Sequence, residues 1–277
     1  MKTILVPTDL SPFSLQALEV AAELARTHPA RILLLHTVLD EDLAYLSAND
    51  SALQFSEELE PAFEKARYRD EAELEAWISH PLYAGIDIQI EAGKTLKGFL
   101  ECLSDYHPDL IIMASKGASG LKELAGGSHA EAVMQQAHCP VLILKEPIRP
   151  FHPRRILTAV DVDNRVPAIL PKPFFLNIRE RDDYLFVMKP FDTRSEEEIQ
   201  QLMNLWAQKQ QLDSYRLHIG RHSSTAKGIL EYATEVSADV LVLFTHARKG
   251  IQHFLYGSVA ETVLNRAELP VLIIHLS

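Results

Sequence analysis

Apolar residues in this chain fall alternately into short continuous runs and into stretches spaced three or four apart. Ile4–Pro7 is the first run and reads as a short strand. Ser11-Pro12 follows, an N-cap with proline at the first helical position, opening a helix through about Thr27 with Leu15, Leu18, Ala22 and Ala25 on one face. Arg31–Val38 is a nearly continuous apolar run of the kind found in strands buried on both faces. Ile86–Glu91, Leu110–Ala114 and Val141–Leu144 are further strands, with helical spacing at Leu96–Tyr106 and Ser128–Ala137 between them. Five strands alternating with helices predict a parallel, doubly wound α/β sheet with helices on both faces.

The pattern then recurs. With an offset of 130, Thr95–Ile143 aligns with Thr225–Ile273 without a gap, and 17 of the 49 positions are identical. They include Gly98/Gly228, Asp109/Asp239, Gly127/Gly257, Ser128/Ser258 and the closing Pro140-Val141-Leu142-Ile143 against Pro270-Val271-Leu272-Ile273. An offset of 152 aligns Ile4, Leu5 and Asp9 with Ile156, Leu157 and Asp161. A period this long marks a duplicated domain rather than a solenoid repeat. The boundaries expected are 1–146 and 153–277, joined by a stiff linker carrying Pro147, Pro150 and Pro153. The second copy has one irregular element. Its first crossover, Val162–Asp182, contains Pro167, Pro171 and Pro173, so no regular helix runs through it.

Charge and composition narrow the function. The 277 residues carry a formal net charge of −11, which disfavours a nucleic-acid partner by long-range repulsion. Asp40–Glu75 alone holds twelve acidic and three basic residues. That segment reads as a charged interaction surface or as solvated helix docked through Leu53, Phe55, Leu59 and Phe63. No apolar run nears the roughly 20 residues of a membrane span, and the N-terminus lacks a signal-peptide layout, so a cytoplasmic protein is expected. Two cysteines, Cys102 and Cys139, are too few for a disulfide scaffold.

The candidate chemistry lies after the fourth strand. Met113-Ala114-Ser115-Lys116-Gly117 leads to Gly120, then Gly126-Gly127-Ser128 and a helix opening at His129. Glycines let backbone N–H groups approach a ligand closely, and a helix start adds a partial positive charge, a combination that holds phosphates with few basic side chains. In a doubly wound sheet such a loop lies at the carboxyl ends of the strands, where strand order reverses and leaves a crevice. Ser128-x-x-Glu131 and Ser258-x-x-Glu261 also fit capping boxes, and Asp9 also fits a helix cap. His36, within an apolar strand, reads as a satisfied core histidine, and the other histidines show no metal spacing.

These motifs resemble the universal stress protein family. The chain shows Pro7-Thr8-Asp9 after its first strand, the closing Pro140-Val141-Leu142-Ile143, and Ala114-x2-Gly117-x9-Gly127-Ser128 where nucleotide-binding members have G-x2-G-x9-G-[S/T]. The resemblance implies a tandem protein of the adenine-nucleotide α-hydrolase-like fold, acting as a stress-response regulator that binds ATP or a related adenine nucleotide, with Mg²⁺ accompanying it. It places Pro7, Thr8 and Asp9 at the ribose and divalent ion, the backbone at Thr37 on the adenine edge, and Met113 and Ala114 at the floor. Gly117, Gly127, Ser128 and His129 would hold the phosphates. It also implies intramolecular pairing through Val141–Leu144 and Val271–Ile274, leaving open a homodimer and an unidentified protein partner. Copy two reads Phe244-Thr245-His246-Ala247 before Gly257-Ser258, so Phe244 is expected near the phosphate or ribose position, and copy two is expected to have lost nucleotide binding or to bind something more apolar. No P-loop, nucleophile elbow or H-E-x-x-H motif occurs, so an enzyme is not expected. The rivals are a nucleotide-free scaffold built as a pseudo-dimer and a weak ATPase.

Overall fold

A computed structural model of the chain describes residues 1–37, 55–94, 96–114, 137–146, 150–162, 173–176, 182–246 and 257–276. The chain divides into two compact units: Met1–Ala114 with Pro147–Pro150, and Ser115–Glu146 with Phe151–Ser277.

The first unit follows the expected alternation: β1 (Lys2–Thr8), α1 (Pro12–Thr27), β2 (Ala30–Thr37), α2 (Phe55–Ile78), β3 (Ile88–Lys94), α3 (Leu96–Tyr106) and β4 (Leu110–Ala114). Its strands are parallel in the order β3-β2-β1-β4. Ser11 caps α1, its Oγ accepting the Ser14 amide at 3.2 Å, and Pro12 occupies the first helical position. Ala17, Leu18, Ala21 and Ala22 are fully buried on one side of α1, against β1, β2 and β4. Helix α2 lies within the acidic segment and packs on β3, burying Leu74 and, against expectation, the carboxylate of Asp70.

The second unit contains β5 (Val141–Leu144), β6 (Ile156–Ala159), β7 (Asp182–Met188), α4 (Glu196–Lys209), β8 (Tyr215–Arg221), α5 (Thr225–Glu235), β9 (Val240–His246), α6 (Gly257–Arg266) and β10 (Val271–Leu276). Its order is β5-β10-β9-β6-β7-β8. Every pairing is parallel except one. Strand β5 runs antiparallel to β10, with Ile143 opposite Val271, Leu142 opposite Leu272 and Val141 opposite Ile273, all buried. The expected pairing of the two closing strands is thus present.

Two repeat positions explain themselves locally. Asp109 accepts the Thr3 amide at 2.9 Å and donates its own amide to the Thr3 carbonyl at 2.8 Å. Asp239 does the same at the start of β6, accepting the Arg155 amide at 2.7 Å and donating to its carbonyl at 2.8 Å. These identical aspartates tie strand starts rather than serve a ligand. Gly228 has a packing reason: a Cβ there would stand 2.9 Å from both His222 Cβ and Val187 Cγ1. No helix among the described residues is long and apolar enough to cross a membrane.

Candidate functional site

The first unit's chain runs from β1 to β2 to β3 in one direction and then returns to place β4 on the other side of β1. Strand order therefore reverses between β1 and β4, which is where an open α/β sheet leaves its ligand crevice. The β1–β4 pairing comprises Ile4 opposite Leu110 and Leu5 opposite Ile111. Pro7, beyond these pairs, has no N–H to extend the ladder.

Thr8, Asp9 and Leu10 form a tight junction there. The buried Thr8 hydroxyl lies 2.8 Å from Ser14 Oγ and accepts the Leu10 amide at 3.1 Å. Asp9 Oδ1 accepts the Ser11 amide at 2.9 Å, so Asp9 fixes the approach to α1 while Ser11 is its cap. Leu10 sits at φ +61°, a left-handed conformation that costs a non-glycine residue about 1–2 kcal/mol. Strain held by flanking hydrogen bonds concentrates at functional sites. Partial burial works against the charge on Asp9, but the Ser11 hydroxyl and amide and the Ser14 hydroxyl outweigh it and hold the carboxyl below its ordinary value. Asp9 is thus an exposed, ionised carboxylate in a rigid turn.

The remaining expected residues divide. Thr37 ends β2, its backbone opposite Lys94, and Ala114 ends β4 half-buried behind the buried Met113. Parallel register places Thr8 beside His36. Pro7, Thr8, Asp9, Thr37, Met113 and Ala114 thus share the carboxyl ends of three adjacent strands. Gly117, Gly127, Ser128 and His129 lie outside the described residues.

His36 departs from its sequence expectation. It is buried, and its Nδ1 has no hydrogen-bond partner, standing 3.8 Å from Asp70 Oδ2, so it is not the satisfied core histidine expected. Sequence gives no sign of this, because Asp70 arrives from a helix read as solvated surface. Burial lowers the His36 pKa below 6.5, against the opposing pull of Asp70, Asp9 and Glu73 and with slight help from Arg69. His275 is lowered too, by burial and then by His138. The unfolded chain therefore binds more protons than the native one just below pH 6.5, and stability falls as pH drops through that value. The urea midpoint is expected to decline from pH 7.5 to 5.5, with a smaller decline in His36→Phe; NMR titration of His36 with a midpoint at or above 6.5 would refute this.

In the second unit the ends of β6 and β7 carry different groups. Arg194 donates to the Val162 carbonyl at 2.9 Å and makes two bonds to Asp192, at 2.9 and 2.6 Å, with its guanidinium 4.9 Å from the Phe186 ring. Those bonds bring the Asp192 carboxyl down to about 2. Phe244 does not stand open at a ligand position as expected. It is half-buried, edge-on to Trp206 at 6.4 Å, and joins the core of α4. The reason is apolar: α4 offers Ile199, Met203 and Trp206 to that face, and a ring gains more there than beside solvent. The described residues contain no group of three metal-ligating side chains.

The profile of the universal stress protein family matches residues 1–145 and 177–275. The chain belongs to the universal stress protein family. It carries the family's unit twice. A universal stress protein of Methanocaldococcus jannaschii is 32% identical over 148 residues, 53% of this chain and 83% of the relative. One from Thermus aquaticus is 30% identical over 146 residues, 52% of this chain and 98% of the relative. Among solved structures, a universal stress protein from Archaeoglobus fulgidus superposes with a TM-score of 0.65 at 18% identity, covering 98% of this chain and 95% of that one. That likeness shows that the two-copy fold of this universal stress protein is shared across its length.

Proposed function

We propose that this tandem universal stress protein is a non-enzymatic regulator that binds ATP or a related adenine nucleotide in the crevice of its first copy, with Mg²⁺ accompanying the phosphates. The domains meant are 1–146 and 153–277. The observation that carries the reading is the junction Thr8-Asp9-Leu10-Ser11. An ionised carboxylate is held there by a strained turn, at the point where strand order reverses. In this reading Asp9 receives ribose hydroxyls or a divalent ion, Thr37 offers main-chain groups to the base, and Gly117, Gly127, Ser128 and His129 supply amides to the phosphates. The second copy does not bind nucleotide. Its Arg194 bridge spans the ends of β6 and β7, and Phe244 is committed to the core.

The test is thermal. Addition of ATP with Mg²⁺ at about 100 times its dissociation constant is expected to stabilise the protein by about 2.7 kcal/mol, seen as a rise in Tm. Gly127→Val, which puts a branched side chain where the phosphates approach, is expected to abolish the rise while leaving the unliganded Tm near that of the parent. Calorimetry is expected to give one nucleotide per chain. No Tm shift with any adenine nucleotide would leave the scaffold reading, which the β5–β10 pairing favours. Phosphate release above background that Asp9→Ala abolishes would instead favour an ATPase.

A further inference from the structure

A small open pocket lies in the second unit, at the amino ends of β6, β7 and β8 beside the last turn of α5. Its volume is about 150 Å³ and its walls include Arg155, Asp183, Arg216, His218 and Tyr232, over a floor at Leu157. At about 30 Å³ per water it has room for roughly five waters, the size of a phosphate or a small carboxylate.

The side chains form an ordered set. Asp183 Oδ1 stands 3.3 Å from His218 Nε2 and 3.5 Å from Arg216 Nη1, which orients both cationic groups. The Tyr232 ring lies 5.0 Å from the His218 ring, fixing its plane. Arg155 donates to the Val236 carbonyl at the end of α5, and its own amide is tied to Asp239 at 2.7 Å. Each guanidinium has five N–H donors. Asp183 pairs with Arg216 and the Val236 carbonyl accepts from Arg155, and even with the Tyr232 hydroxyl and a His218 ring nitrogen the guanidinium N–H groups outnumber the acceptors of the lining. With neutral His218 the cluster carries a net charge of +1, in a chain whose net charge is −11.

The first copy carries a different set of groups at the same place. Offsets of 152 and 130 bring Thr3, Arg31 and Tyr106 to the positions of Arg155, Asp183 and Val236. There Arg31 Nε donates to Thr3 Oγ1 at 3.1 Å and its guanidinium lies 5.8 Å from the Tyr106 ring. The Tyr106 hydroxyl in turn donates to Glu91 at 2.6 Å. The second copy has valine at 236 where the first has a ring, and it exchanges Thr3 and Arg31 for Arg155 and Asp183, so the cation changes strand and Arg216 supplies a second one.

We propose that this pocket is a binding site for a small oxyanion, a phosphate or carboxylate group, held by Arg155 and Arg216, with Asp183 as the group that aligns Arg216 and His218. The site is independent of nucleotide binding in the first copy.

The test uses the full chain titrated separately with inorganic phosphate and with malonate at constant ionic strength, following the His218 ring resonances by NMR. A saturable shift with either probe is expected, and the probe that binds tighter identifies the ligand's headgroup. Arg216 is half exposed and ends in solvent-accessible charge, so Arg216→Ala is expected to fold and to bind about tenfold more weakly, the value of one charge-assisted hydrogen bond. Arg221→Ala, on the same strand but paired with Glu196, is expected to bind as the parent does. Absence of a saturable His218 response to both probes, or a response that Arg216→Ala leaves intact, would overturn the proposal.

Discussion

Replacement of Lys145 by methionine is expected to stabilise the protein by about 3 kcal/mol at neutral pH. Lys145 follows β5 and is only 4% exposed, and its Nζ has no hydrogen-bond partner among the described residues. Burial alone brings its pKa down from 10.5 to about 8. The native chain at pH 7 thus holds an ammonium ion out of water with no compensating acceptor, a cost that an apolar side chain of similar length does not carry. The sign of the pH dependence follows. Between about 8 and 10.5 the unfolded chain keeps a proton that the native one has lost, so native stability rises with pH across that window. Lys145→Met lacks this gain, and its advantage over the parent is expected to shrink steadily from pH 8 to pH 10.5. Urea denaturation of both proteins across that range measures it. An advantage constant with pH would mean that the amine is not the source.

Trp206→Ala is expected to cost about 3–5 kcal/mol in the same assay. The indole is buried among Val160, Val162, Phe186, Met188, Ile199 and Met203, and stands edge-on to Tyr184 at 5.3 Å and to Phe244 at 6.4 Å. Removal leaves a large cavity with three aromatic neighbours unsupported, in a unit whose first crossover contributes no described helix to that core. Trp77, the half-buried indole of α2, is the control, and Trp77→Ala is expected to cost distinctly less. Equal losses would show that Trp206 is not central to the second unit's core.

Much of the architecture is legible in the sequence because local rules and the global fold agree. Ser11-Pro12 marks the start of α1, and Leu96–Tyr106 has helical spacing along its whole length, as found. The pairing of the closing strands was expected from the family resemblance, and β5 and β10 do pair. What sequence leaves unread depends on partners distant along the chain. The acidic segment reads as solvated, yet Asp70 is drawn inside beside His36. The Asp183, Arg216 and His218 cluster looks like scattered surface charge until the parallel register sets β7 beside β8. Phe244 looked like an intruder at a ligand site because the Trp206 ring of α4 that receives it lies about forty residues earlier in a helix of ordinary amphipathic pattern. For the crevice itself, the Asp9 turn was identifiable from Pro7-Thr8-Asp9, whereas the left-handed Leu10 was not, since leucine gives no hint of it.

The seat of β5 has a consequence for anyone dividing this gene. Val141–Leu144 comes from the first repeat but completes the flank of the second unit's sheet. A fragment begun after the proline linker would strip β10 of that neighbour and bare a row of amides and carbonyls on an apolar ribbon, Val271-Leu272-Ile273-Ile274. Such a ribbon recruits any strand available, including its own twin from another copy. Half of this molecule, expressed alone, would be expected to associate with itself rather than remain a monomer.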